Sequence, residues 1–156
     1  MVSFVAMNLI TRDTDYAVRA LCYMAQSPQQ VVSVTDLGSR FSMPRQYLRR
    51  ILQALARHKI LESSRGQGGG FQLRKDPSQI LLADLMEVFH GKFDFTRCVF
   101  RAAVCPNQGS CPLRKKVKQI EKNALTELRA TTIASLVSYQ PSMKTKRNGS
   151  GKRLKR

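Results

Sequence analysis

Residues 33–74 read SVTDLGSRFSMPRQYLRRILQALARHKILESSRGQGGGFQLR, and this stretch decides the predicted fold. Ser33 can cap a helix, and Asp36, three residues later, supplies the carboxylate of a capping-box variant. The pair predicts a short helix over residues 34–41. A second helical pattern follows, and then two strand-like segments around a Gly-rich turn. The predicted order is therefore helix, helix, hairpin.

The second helical pattern is amphipathic. We predict that Ser42 caps it, that Pro44 lies in its first turn and that it ends at about Arg57. Its apolar residues recur every three or four positions, which predicts a buried face made of Leu48, Ile51, Leu52 and Leu55. The opposite face carries Arg45, Gln46, Arg49, Arg50 and Gln53. Two short helices with almost no linker, the second presenting Arg and Gln, are typical of a helix-turn-helix.

The hairpin pattern follows this helix directly. Residues 60–63 and 71–74 are predicted strands, and RGQGGG at residues 65–70 is the turn between them. A hairpin after a recognition helix is the wing of a winged helix. Amphipathic patterns at residues 14–26 and 83–90 predict a helix on either side of the motif.

A longer amphipathic pattern comes near the end of the sequence. Its apolar stripe consists of Leu113, Val117, Ile120, Ala124, Leu128 and Thr131. A helix to about Arg129 would be about 25 Å long, and a single small domain cannot bury both sides of such a rod. We therefore expect a homodimer, with a capped terminal turn over residues 132–137. The predicted fold class is mainly α, a winged helix-turn-helix with a two-stranded wing followed by a long dimerisation helix.

The sequence divides into four predicted parts. Residues 1–91 form the winged helix-turn-helix, residues 92–112 a cysteine loop, and residues 113–139 the dimerisation helix with its terminal turn. Residues 140–156 form a basic tail whose near lack of apolar side chains predicts disorder.

The charge balance points to a polyanionic partner. The chain has 27 Lys and Arg against 10 Asp and Glu, a net charge of +17, which attracts nucleic acid first. No apolar run reaches the roughly 18 residues of a membrane span, and the first ten residues lack the basic start of a signal peptide. We expect a cytoplasmic protein with no membrane partner. An enzyme is not expected, because no phosphate-binding motif or paired carboxylates are found and there are only two histidines.

The helix-turn-helix and wing supply the candidate DNA contacts. Arg and Gln match guanine and adenine edges in bidentate geometry, and the start of a recognition helix faces the bases. The predicted base contacts are Met43, Arg45, Gln46 and Arg49, and the predicted phosphate contacts are Arg50 and Arg57. In the wing we predict that Arg65 and Arg74 supply charge, while Gly68 and Gly69 let the backbone approach closely.

Three of the four cysteines lie close together, at Cys98, Cys105 and Cys111. Their C-x6-C-x5-C spacing is too wide for zinc knuckles and differs from the ferredoxin patterns. Clustered cysteines in a reducing compartment favour a metal or redox site over disulfides. Candidates for a fourth ligand are Asp15, His58, Glu87 and His90. Cys22 differs, because its apolar neighbours on the first helix predict an ordinary core residue.

Several segments together resemble one known family. TDYAVRAL at 14–21, ILQALARHKIL at 51–61, RGQGGGFQL at 65–73, LLADLMEVFHG at 81–91 and the cysteine loop are similar to the Rrf-two family of transcription regulators. The resemblance covers about residues 8–137. It implies a homodimeric winged-helix regulator, most often a repressor, that binds promoter operators in double-stranded DNA.

The same resemblance implies a cofactor. Cys98, Cys105 and Cys111 would ligate a two-iron or four-iron iron–sulfur cluster whose state changes DNA affinity in response to redox conditions, nitric oxide or iron–sulfur status. Iron–sulfur biogenesis regulators in the family place a histidine ligand three residues after the last cysteine, where this sequence has Arg114. Nitric-oxide sensors instead use the Asp of a Thr-Asp pair on the first helix. Thr14-Asp15 matches that pair, so Asp15 is the expected fourth ligand, and the other subunit could donate it.

Two alternatives stay open at this point. One is a clusterless regulator of the same fold, whose three loop cysteines act as thiol redox sensors. The other is a zinc-binding nucleic-acid-binding accessory protein without operator specificity, which would barely distinguish promoter from random DNA.

Overall fold

The computed structural model describes residues 10–66, 68–91 and 110–139 of the chain. This part contains six helices and a two-stranded antiparallel sheet. The helices are α1 (Arg12–Met24), α2 (Val34–Phe41), α3 (Arg45–Arg57), α4 (Leu82–His90), α5 (Pro112–Ala130) and α6 (Ile133–Tyr139). The strands are β1 (Leu61–Ser64) and β2 (Gly70–Leu73), and a 3-10 turn spans Pro77–Gln79. This order is the predicted winged helix-turn-helix followed by a long helix.

Helix α2 begins at the predicted cap. The Asp36 backbone N–H donates to the Ser33 hydroxyl oxygen at 3.1 Å. The Asp36 carboxylate accepts a bond from the same hydroxyl at 2.7 Å, so the second bond of this cap joins the two side chains. The cap satisfies one of the free N–H groups at the helix start.

The turn between α2 and α3 differs from the prediction at Ser42. Ser42 ends α2 in the left-handed region, with φ 54°, and α3 follows Pro44 without a side-chain cap. The Met43 N–H donates to the Gly38 carbonyl at 2.9 Å, which closes the end of α2. The prediction that Ser42 caps α3 is wrong, because the left-handed turn commits this residue to the end of the preceding helix.

The core forms around the predicted apolar face of α3. Leu48, Leu52 and Leu55 have no exposed surface and Ile51 is 1% exposed, which confirms that face. The helix packs on α1, α2 and β1. Cys22 is 1% exposed among the core residues of α1, as predicted, and burial raises the pKa of its thiol.

The wing is tied to the segment before α2. Strands β1 and β2 pair from Leu61 with Leu73 to Ser64 with Gly70. Val32 adds an isolated bridge to Phe71, with N–H to carbonyl distances of 2.8 and 2.9 Å. A Cβ atom at Gly70 would lie 2.4 Å from the Val32 carbonyl oxygen, so this close approach requires glycine.

Helix α5 packs against α4 near its C-terminal end. It has 19 residues and so is roughly 28 Å long. Leu128 packs with Ala83 and Met86 of α4. Leu113, in the first turn, is 72% exposed, and Ile120, in the middle of the helix, is 52% exposed. The predicted apolar stripe is therefore covered at one end of the helix and open at the other.

The last described helix returns to the core. Thr132 and Ser135 cap α6 reciprocally, each backbone N–H donating to the other's hydroxyl, at 3.0 and 3.1 Å. Ile133 is fully buried, and its N–H donates to the Ile80 carbonyl at 3.0 Å. The predicted capped turn is thus confirmed as a short helix, which packs against α1 and the 3-10 turn.

The four-part division of the chain stays a prediction, because residues 1–9, 92–109 and 140–156 lie outside the described residues. Among the helices that are described, none combines the length and apolar character needed to cross a membrane.

Candidate nucleic-acid interface

A groove of about 750 Å³ runs between the recognition helix α3 and the wing. It is lined by Arg49, Gln53 and Arg57 of α3, by residues 33–35 at the start of α2, and by residues 63–66 and 69–71 of the wing. The two arginines of α3, Arg65 of the wing and the positive end of the α2 dipole all favour an anion here. The groove can therefore receive a phosphate backbone.

The predicted DNA contacts fall into three groups. Arg49, Arg57, Arg65 and Gly69 line the groove. Arg45, Gln46 and Arg50 are exposed on the polar face of α3. Gly68 lies in the wing turn with φ 81°, a conformation that favours glycine, and Arg74 is exposed at the opposite end of the hairpin, where its N–H donates to the Ile60 carbonyl at 3.0 Å.

Met43 does not belong to this surface. Its side chain is 5% exposed and packs in the hydrophobic core. The prediction of a base contact by Met43 is corrected on this ground, because the turn that ends α2 directs the side chain inward. The first side chains of α3 that reach solvent are those of Arg45 and Gln46.

Some groove residues were not singled out from the sequence. Gln53 lies on the predicted polar face of α3, and this position was the only feature of the sequence that could have identified it as a groove residue. Ser33 and Thr35 come close to the wing because the Val32–Phe71 bridge holds the start of α2 beside β2. That proximity depends on a pairing between distant residues, which no local pattern predicts.

A polar cluster joins α1 to α3 beside the polar face of the recognition helix. The Tyr47 hydroxyl donates to the Asp13 carboxylate, and this bond, together with burial, raises the pKa of Tyr47. The Arg50 Nη2 atom lies 3.5 Å from the same Asp13 oxygen. The Arg50 guanidinium lies over the Tyr47 ring, 4.8 Å from its centroid. Sequence analysis identified Arg50 but not its two partners.

Only part of the predicted cofactor site lies in the described residues. Cys111 is half-buried at the start of α5, whereas Cys98 and Cys105 lie outside the described residues. The Asp15 carboxylate accepts a bond from Arg19 Nε at 2.9 Å, and the two side chains are 42% and 48% exposed. An exposed ion pair of this kind contributes at most about 1 kcal/mol, so Asp15 can exchange Arg19 for another partner at little cost.

The other candidate ligands have different surroundings. His90 ends α4, and its Nε2 atom lies 3.1 Å from the Thr11 hydroxyl and 3.2 Å from the fully buried Thr14 hydroxyl. Glu87 and His58 are exposed on α4 and at the end of α3. Within residues 10–66, 68–91 and 110–139, no three His, Cys, Asp or Glu side chains gather into a metal site. Because two of the three predicted cysteine ligands are outside these ranges, the thiol of Cys111 and the carboxylate of Asp15 fit an iron site only as part of a ligand set.

The comparison with protein families decides the family. The Rrf2 (Rrf-two) model, described as an iron-dependent transcriptional regulator, matches residues 10–139. This chain belongs to the Rrf2 family. The resemblance predicted from the sequence is therefore confirmed. BadM of Rhodopseudomonas palustris, which carries the name of an HTH-type transcriptional regulator, is 29% identical over 128 residues, 82% of this chain and 80% of BadM.

Two solved structures share the fold of this chain. CymR, the global cysteine regulator of B. subtilis, matches with a TM-score of 0.70 and 21% identity over 86% of this chain and all of CymR. T. potens IscR matches with a TM-score of 0.66 and 22% identity, covering 85% of this chain and 88% of IscR. The winged-helix prediction is confirmed. Family and fold are those of DNA-binding transcription regulators, which are not enzymes.

Proposed function

We propose that this Rrf2 member is a homodimeric repressor, acting in the cytoplasm, that binds a promoter operator and senses redox, nitric oxide or iron–sulfur status through an iron–sulfur cluster. The observation that carries the DNA-binding part is the groove between α3 and the wing, with arginines on both sides. The iron-dependence in the family's description supports the sensing part.

The operator would be read by the exposed face of α3. In the major groove, Arg45, Gln46 and Arg49 face base edges, where Arg suits guanine and Gln suits adenine. Arg50, Arg57 and Arg65 would neutralise phosphates beside them, while the turn at Gly68 and Gly69 lets the wing backbone come close to the duplex. Arg74, at the base of the hairpin, would reach only a more distant phosphate.

Base contacts and phosphate contacts are separable by experiment. Arg45→Ala should reduce the preference for the operator over random DNA by about 1–3 kcal/mol. Arg50→Ala should weaken binding to both DNAs alike and lower the dependence of log affinity on log salt by at most about 0.9. Fluorescence anisotropy with operator and scrambled duplexes measures both quantities. Unchanged binding by both variants would contradict this assignment of the α3 face.

The open end of α5 supports a homodimer. Leu113 and Ile120 leave apolar surface in contact with water, and a second copy of the same helix would cover it. Two recognition helices related by a two-fold axis would then read two half-sites of a palindromic operator.

The cluster would be held by Cys98, Cys105 and Cys111, with Asp15 as the fourth ligand. The Asp15 ion pair with Arg19 is exposed, so the carboxylate is available to iron. Thr14, the residue before Asp15, lies against His90 at the end of α4. The cysteine segment begins in the sequence two residues after His90. An oxygen ligand is exchanged more readily than a thiolate, which suits a site that responds to nitric oxide or oxidants.

The test uses protein purified without oxygen. We expect visible absorbance and equal amounts of iron and sulfide, about two or four of each per cluster, and Cys111→Ser should abolish both. Cys22→Ala is the matched control and should keep the cluster, because Cys22 is a core residue. Asp15→Asn should retain iron but alter the spectrum and the rate of reaction with nitric oxide. A colourless wild type would contradict the presence of a cluster. An Asp15→Asn variant with the spectrum and nitric-oxide reaction rate of the wild type would contradict only the assignment of Asp15 as the fourth ligand.

A clusterless thiol regulator is the second candidate, because the global cysteine regulator CymR has the same fold. This function predicts iron-free protein that forms a disulfide among Cys98, Cys105 and Cys111 on oxidation and loses operator affinity. Zinc in place of iron, with equal affinity for operator and random DNA, would favour an accessory protein instead.

A further inference from the structure

Arg50 of the recognition helix already has an anionic partner within the chain. Its Nη2 atom lies 3.5 Å from Asp13 Oδ1. The side chain of Arg50 is 64% exposed, while that of Asp13 is 31% exposed. The guanidinium thus lies at the protein surface, on the polar face of α3, with a carboxylate from α1 beside it.

Tyr47 holds this pair in place. Its hydroxyl donates to the same Asp13 oxygen, and its ring supports the Arg50 guanidinium by a cation–π contact at 4.8 Å. Tyr16 packs edge-on against the Tyr47 ring, with 5.6 Å between centroids. The carboxylate is therefore oriented by two groups on α3 and cannot swing away without losing a hydrogen bond.

A carboxylate and a phosphate make the same demand on arginine. Both accept charge-assisted hydrogen bonds from the guanidinium fork. If Arg50 binds a DNA phosphate, the phosphate must replace Asp13 or share Arg50 with it. In either case the negative charge of Asp13 stays close to the negative charge of the DNA backbone.

We propose that Asp13 is an intramolecular competitor for the DNA phosphate that Arg50 binds, with Tyr47 positioning its carboxylate. The contact lowers the affinity of the recognition helix for every DNA sequence, because phosphates are the same in all of them. It makes Asp13 a residue that sets affinity and leaves base preference to Arg45, Gln46 and Arg49. The inference rests on the proposed DNA binding by α3 and is independent of the cluster.

The expected effect follows from the exposure of the pair. Exposed ion pairs are weak, so Asp13→Asn should tighten binding by about two- to fivefold. The affinities for operator and random DNA should rise by the same factor, so the ratio of the two affinities stays unchanged. The dependence of log affinity on log salt should become steeper, but by less than about 0.9, because Arg50 neutralises part of one phosphate charge in the wild type and the whole of it only without Asp13.

The experiment is a double-mutant cycle measured by fluorescence anisotropy over a range of salt concentrations. It compares the full-length wild type with Asp13→Asn, Arg50→Gln and the double variant. The gain from Asp13→Asn should disappear in the Arg50→Gln background. Asp84→Asn is the matched control, since Asp84 lies in the first turn of α4 as Asp13 lies in the first turn of α1, but is exposed. It should change affinity by less than the Asp13 variant does.

Asp13→Ser protects the test against a folding defect, because serine removes the same charge and is tolerated at a helix start. Weaker binding by both Asp13 variants, with unchanged circular dichroism, would overturn the competition. A gain that persists without Arg50 would overturn it too. These results differ from a failure of the proposed function, in which the wild type itself would not prefer the operator.

Discussion

Helices α3 and α5 carry the same kind of apolar stripe but differ in what covers it. On α3 the four stripe residues are at most 1% exposed, because α1, α2 and β1 pack against them. On α5 the stripe is buried only at Leu128, while Leu113 and Ile120 are more than half exposed. An amphipathic pattern predicts that one face must be covered. It does not tell whether the cover comes from the same chain.

The largest expected effect tests the covered face. Leu52→Ala should lower the free energy of unfolding by about 2–5 kcal/mol, because it leaves a cavity in a fully buried position. Urea denaturation followed by circular dichroism measures the loss. Gln53→Ala, one residue along and exposed, should stay within about 0.5 kcal/mol of wild type. Equal effects at the two positions would mean that α3 is oriented differently.

A substitution in the exposed apolar stripe of α5 should change self-association and leave folding unchanged. Ile120→Glu places a charge in the exposed stripe and should weaken self-association at least tenfold, about 1.4 kcal/mol. Sedimentation should then show a larger fraction of the 17.6 kDa monomer, while the far-ultraviolet circular dichroism spectrum stays unchanged. Gln119→Glu adds the same charge at an exposed neighbour that bonds Asn123, and it should associate like wild type. Full self-association by Ile120→Glu would mean that another surface forms the dimer.

The smallest effect concerns how the helices begin. Helix α2 starts at a serine cap, whereas α3 and α5 have no side-chain cap. Ser33→Ala should therefore cost about 1 kcal/mol of stability in thermal or urea unfolding. Ser39→Ala, in an exposed position within α2, should cost nothing, since alanine is the better helix former. A loss at Ser39 as large as at Ser33 would argue against the cap.

Local patterns predicted most of the fold. The cap at Ser33, the spacing of apolar residues in α3 and the Gly-rich wing turn each depend on neighbours in sequence, and all three are confirmed. The prediction that Ser42 caps α3 was wrong, because a serine two residues before a proline suits either the end of one helix or the start of the next. The choice was made by the left-handed turn, which also placed Met43 in the core.

The candidate site was less predictable. The polar face of α3 follows from helical periodicity alone, but its partners come from far away in the sequence. Asp13 is 34 residues from Tyr47 and 37 from Arg50, and the wing meets the start of α2 through the Val32–Phe71 bridge. Such pairings are products of the folded chain, so single-sequence reasoning found the arginine and missed the carboxylate.

The return of α6 has a consequence for how the protein is made. Ile133 fills a site in the core built by the first half of the chain, and it is held there by a hydrogen bond to Ile80. During translation, α1 to α4 leave the ribosome before the residue that completes their packing has been synthesised. The packing of α1 to α4 is therefore complete only after α6 has been synthesised, and a polypeptide that stops before Ile133 would have an unfinished interior.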